Sequence, residues 1–107
     1  MDQPHKVTLH VVSNAEGKKT VVCDPSQVES NRITIGRIVR FEAADESNTV
    51  EMGFGGDATF APGARGIFFQ EFTATAAGKF EFNANLTLPD LTVVAWAPGS
   101  GGQGEVQ

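Results

Sequence analysis

Almost every ordered-looking segment of this chain alternates apolar and polar residues with period two, and none repeats convincingly with the 3.6-residue period of an amphipathic helix. That pattern restricts the chain to strands with one face buried, because successive side chains of a strand point to opposite faces. The clearest case is the stretch 72–84 (F-T-A-T-A-A-G-K-F-E-F-N-A). It reads as a strand, a tight turn at Ala76-Ala77-Gly78, and a second strand with Phe80 and Phe82 on one face and Lys79, Glu81 and Asn83 on the other. Further strands follow from the same rule. In 6–12, Val7, Leu9 and Val11 share a face opposite Thr8 and His10. Residues 18–23 form a strand rich in Thr and Val, stopped by Pro25, which has no N–H to give a ladder. Residues 32–35 make a short strand before Gly36, and 37–43 turns Val39 and Phe41 inward while Ile38, Arg40 and Glu42 face out. In 49–54, Val50, Met52 and Phe54 align before Gly55-Gly56-Asp57 breaks the pattern.

The remaining strands are expected at 67–75 and, as the closing strand, 91–96. Pro62, Gly63 and Gly66 mark an irregular connection, and 85–90 a loop. About seven or eight short strands punctuated by turns imply an all-β fold, an antiparallel Greek-key β-sandwich. The single domain spans 1–97, and 98–107 reads as a flexible Gly-rich C-terminal tail.

With 107 residues, 40% of them hydrophobic, the chain has material for one real core. A domain of this size buries roughly two-thirds of its unfolded surface and needs no staples. The net charge of -5 and the lack of a basic stripe argue against nucleic acid as a partner. The apolar runs are too short to span a membrane, and residues 1–6 carry no signal-peptide pattern, so the chain is read as cytoplasmic or as the mature part of an exported protein. One cysteine, Cys23, excludes an internal disulfide and a multi-cysteine zinc site.

Three stretches carry a family resemblance. They are Cys23-Asp24-Pro25-Ser26-Gln27-Val28 with 33–41 (I-T-I-G-R-I-V-R-F), then Glu46-Ser47-Asn48-Thr49-Val50, then 72–84. In order and spacing they resemble the cupredoxins, the small blue-copper electron carriers. The resemblance implies a Greek-key sandwich with a first histidine ligand at the position of Asn48 and the cysteine ligand at Ala84. A type-1 copper site needs a thiolate, two imidazoles and a weak axial thioether. An amide and a methyl group replace two of these, and neither histidine nor methionine follows Ala84. The resemblance therefore implies a copper-free member acting as a binding or structural module, with no cofactor.

Other candidate chemistry is thin. His5 and His10 fall on opposite faces of one strand. Cys23 reads as a buried, inert thiol. A non-standard copper site from His10, Cys23 and Met52 is the alternative function, an electron-transfer or copper-binding protein. Asp45 and Glu46 read as a solvated turn, and no nucleophile with a base is arranged for catalysis, so the protein is read as a non-enzyme. Of the aromatic residues, Phe60 and Phe68, with Pro62 and Arg65, mark a candidate contact surface for a protein partner. The loops at 53–66 and 85–90 are expected to carry the contacts, and unpaired strand edges favour a homodimer.

Overall fold

In a computed structural model, which describes residues 3–96 and 101–107, ten strands form two facing sheets. They are β1 (His5–Ser13), β2 (Lys19–Asp24), β3 (Arg32–Ile33), β4 (Ile38–Ala43), β5 (Thr49–Gly56), β6 (Thr59–Arg65), β7 (Phe69–Ala76), β8 (Gly78–Thr87), β9 (Val93–Val94) and β10 (Gly102–Val106). The first sheet runs β2-β1-β4-β7-β6 and the second β3-β10-β8-β5, with β9 also paired to β8. The architecture is all-β, as the alternation requires, and among the described residues no helix is long and apolar enough to cross a membrane.

The sheets are mixed rather than antiparallel throughout. Strand β1 pairs parallel to β4, and β10 parallel to β3. Parallel neighbours cannot be joined by a hairpin, so each of these pairs joins segments distant in sequence. Period-two patterning fixes which face is buried but not the direction of the neighbour, so the expectation of antiparallel pairing throughout fails at these two pairs.

Three further expectations are corrected. Residues 59–65 are a strand, the edge strand β6, which accommodates Pro62 and Gly63 through register shifts against β7 between Pro62 and Arg65. An edge strand tolerates Pro because one side of it needs no donors. Strand β8 continues to Thr87, so the expected loop at 85–90 begins only after it. The closing strand is not 91–96, where only Val93 and Val94 are strand, but β10, inside the expected tail. Residues 98–100 of that tail lie outside the described residues.

Strand β10 alternates like the others, but its inward positions are Gly102, Gly104 and Val106. Gly102 faces Phe82 and Gly104 faces Phe80 in direct register. A Cβ on either glycine would collide with the opposing ring. The rings of β8 thus cover the backbone of β10, and two large residues fill the space of four.

The core between the sheets centres on Phe41, which is fully buried. Its ring lies 5.2 Å from Phe82, 5.6 Å from Phe54 and 6.0 Å from Phe72, in tilted or edge-on contacts. Aromatic rings favour such geometry because the positive edge of one meets the negative face of another. Val7, Leu9, Val21, Val39, Val50 and Leu86 fill the rest.

One buried polar residue ties the lower loops to the second sheet. The amide nitrogen of Asn31 donates to the carbonyls of Pro25 (3.0 Å), Gln27 (3.2 Å) and Gln103 (3.0 Å). Its Oδ1 accepts from His5 Nε2 at 2.7 Å, which fixes the histidine proton on that nitrogen. The Asn31 carbonyl accepts the N–H of Glu105 in β10. A residue 1% exposed holds β1, the 24–31 loop and β10 together.

Candidate functional site

The two positions that the resemblance equates with copper ligands do not share a corner. Ala84 lies opposite Met52 in the β5–β8 ladder and is fully buried in the core. Asn48 immediately precedes Thr49, which is opposite Thr87. Four residues of strand rise separate the two levels, about 13 Å. The neighbour at the level of Asn48 is Leu88, and both line a hollow of about 450 Å³ at the end of the sandwich with Leu9, His10, Asp45 and Pro89. Asn48 is 5% exposed, and its backbone N–H donates to the Asp45 carbonyl.

The one carboxylate lining this hollow is occupied with the turn itself. Asp45 Oδ1 accepts from Ser47 N (3.0 Å) and Ser47 Oγ (2.6 Å), and these bonds hold its carboxyl below the usual range. His10 projects outward from β1 and is only partly buried. Cys23 projects inward from β2, opposite Leu9, and burial pushes its thiol up to about 11. A thiol so desolvated is neutral at physiological pH and a poor ligand or nucleophile. Met52 rises from the other sheet, packed against the core. His10 and Cys23 therefore lie on opposite faces of one sheet, and among the described residues no three His, Cys, Asp or Glu side chains gather as a metal site.

The contact surface read from sequence is divided by the fold. Phe60 stacks on Phe54 and meets Phe80 edge-on, both at 4.9 Å, so it completes the core's open side rather than projecting from it. Pro62 is exposed on the β6 edge. Arg65 reaches Glu51 at 2.6 Å, an exposed pair of small energetic weight. Phe68 is half-buried, with its carbonyl accepting from Ala43 N.

What sequence reading missed is the distribution of exposed aliphatic side chains. Ile67, Leu91, Val93 and Val12 are 66%, 81%, 60% and 41% exposed. The register places all four at one end. Val12 lies beyond the last β1–β4 pair, the Ile67 carbonyl accepts from Val50 N at the start of β5, and Leu91 and Val93 follow the end of β8. That end is also where Asn48 and the hollow lie. Leu91 stands out in sequence only as a residue between Asp90 and Thr92, and its left-handed backbone (φ 71°) was not legible.

The outer face of the first sheet carries a different cluster. Lys6 bonds Glu42 at 2.6 Å, Arg40 bonds Glu42 and Glu71 at 3.1 and 2.9 Å, and the Arg40 guanidinium sits 3.8 Å over the Phe69 ring. Lys6 first, then Arg40, hold the Glu42 carboxyl below its ordinary range against partial burial. Burial works against the Arg40 charge, but bonds from Glu71 and Glu42 outweigh it and raise its pKa. These partners are mutually satisfied, which is the geometry of a structural clamp across β1, β4 and β7.

No protein-family model matches the chain, and no curated protein matches it.

Proposed function

We propose that this protein is a non-enzymatic, copper-free, cupredoxin-like module that binds a protein partner through the loop end formed by 44–48, 65–68 and 88–93. The observation that carries this reading is that, of the six large aliphatic side chains exposed among the described residues, Ile67, Leu91 and Val93 lie in these segments and Val12 lies at the same end of β1. Exposed apolar area of this kind is costly in water unless a partner covers it. The four sheet edges offer less. Strand β6 is irregular and carries Pro62, β3 is two residues long, β2 is bridged by Trp96, and the β5 edge is closed at Val50 by Ile67 and Gln70. Such blunting disfavours edge-to-edge pairing, so self-association, where it occurs, uses the same loop end.

Sedimentation velocity across a wide concentration range, with the double variant I67E/L91E as control, tests self-association. A dimer of the native chain that the variant abolishes identifies a second copy as the partner; a native dimer that persists in the variant contradicts the assignment of the surface. The copper-handling alternative is tested by adding Cu(II). Intense visible absorption lost on Cys23→Ala would establish it, whereas a colourless protein supports the copper-free reading.

A further inference from the structure

The outer face of the second sheet has a relief that neither the core nor the backbone requires. Its middle row is Glu81 and Asn83 of β8. On the β5 side these face Gly55 and Gly53, and on the β10 side Glu81 faces Gln103. Gly101, the residue before β10, stands level with Asn83. A Cβ on Gly55 would meet nothing within 4 Å, and its φ is not positive, so neither packing nor conformation calls for glycine there. Glycine inside a strand costs roughly 0.5–1 kcal/mol relative to alanine. Its effect is to leave the floor beside Glu81 low and open. At Gly53 the Asn83 side chain leans into the vacant place, with Oδ1 2.7 Å from where a Cβ would sit.

Trp96 forms one wall. Its ring lies 3.6 Å from the Cβ position of Gly101, and it is half-buried, packed on the core with part of its surface free. Trp96, Glu81, Asn83, Gln103 and Gly101 line a cleft of about 210 Å³. A second cleft of about 230 Å³ shares Glu81 and Gln103 and continues past Lys79 and Asp57. Together they reach the range of roughly 300–1,000 Å³ usual for ligand sites. Among the described residues, the side chains of Glu81, Asn83 and Gln103 are engaged by no hydrogen bond or ion pair.

The chemistry of this trough, among the described residues, is an indole wall, two amides and a carboxylate. Amides offer paired donors and acceptors, and the carboxylate accepts two bonds. Glu81 and Asp57 outnumber Lys79, so an anionic ligand is repelled. A sugar ring fits the set: its C–H face lies on the indole, its hydroxyls donate to and accept from the amides of Asn83 and Gln103, and they donate to the carboxylate of Glu81. A trough running into a second cleft suits a chain of such rings better than one ring. We propose that this face binds a neutral oligosaccharide, with Trp96 as the stacking platform and Asn83, Gln103 and Glu81 as the hydroxyl-reading groups. The site is separate from the loop end and does not depend on the protein-partner reading.

Trp96 is the only tryptophan, and the chain has no tyrosine, so indole emission reports this site alone. The test titrates the full chain with cellohexaose, mannohexaose and chitohexaose. The expected result is a saturable emission change with at least one of them at millimolar concentration or below. Each of Asn83→Ala and Gln103→Ala should weaken that binding about five- to tenfold, the cost of one lost hydrogen bond of roughly 1 kcal/mol, with an unchanged melting curve. Gly55→Val should raise the floor and abolish binding while the fold is kept. No saturable response to any of the three sugars overturns the proposal, as does a response that all three variants leave intact.

Discussion

Replacing Asn31 by leucine keeps most of the shape of the side chain and removes everything it bonds. Its amide nitrogen has two hydrogens for three carbonyls, so two full bonds are the most it makes at once. Gln27 O also accepts from Ser30 N and is partly compensated, whereas the bonds to Pro25 O and Gln103 O are the shorter ones. Leaving a buried acceptor unpaired costs about 1–3 kcal/mol. Two such acceptors, with some relaxation, give about 3 kcal/mol for Asn31→Leu. For a domain of this size each kcal/mol lowers Tm by roughly 4–8 °C, so the melting temperature should fall by about 12–24 °C. Asn31→Asp should be at least as damaging, since it turns an anion toward carbonyl oxygens. His5→Ala, which removes only the partner of Oδ1, should cost about 1 kcal/mol. Thermal unfolding followed by far-UV circular dichroism, with urea denaturation alongside, measures all three. A loss below about 1 kcal/mol for Asn31→Leu would refute the view that this residue ties the loops to β10.

Gly104→Ala should destabilise by about 1–3 kcal/mol, because the new methyl collides with Phe80 and crowds the Asn31 carbonyl; Gly55→Ala, with open space around it, should be neutral or stabilising, and equal effects in urea melts would contradict the packing described. Cys23 should resist Ellman's reagent at neutral pH in the native protein and react fully in urea. Its pKa is raised from 9.0 to about 11, so its contribution to stability is complete below the first value and lost as pH climbs towards the second; rapid native labelling would mean that the thiol is not buried. Glu42 titrates in the opposite sense. Its folded pKa lies below the ordinary 4.5, so its contribution is complete above that value and disappears as pH falls through the lowered one. Glu42→Gln should flatten the acid limb of the urea midpoint, and an unaltered limb would discount the clamp.

The layering of the core was legible because its inward residues are large. Val7 and Leu9, Val39 and Phe41, and Phe80 and Phe82 alternate with polar neighbours, and all six are buried. Strand β10 was illegible for the same reason in reverse. Glycines at its inward positions erase the apolar signal, and the volume they forgo is supplied by Phe80 and Phe82 from another strand. Strand β6 was hidden by Pro62 and Gly63, residues that argue for a loop unless the strand is known to lie at an edge. The site suffered most. A motif match placed Ala84 beside Asn48, but strand register is a non-local property, and the β5–β8 pairing sets them four residues apart. Asn31 gave no signal at all, since an asparagine between Ser30 and Arg32 reads as ordinary turn chemistry until its surroundings close over it.

The position of β10 has a consequence for how the molecule assembles. Until residues 102–106 arrive, β3 has no neighbour and much of one side of β8 stays bare, with Phe80 and Phe82 facing an empty slot. Strand β3 and one side of β8 thus wait for β10, and its pairing with β3 joins segments far apart in the sequence, a step expected to be slow. Proteolytic clipping anywhere near that segment should therefore unravel a sheet rather than trim an end.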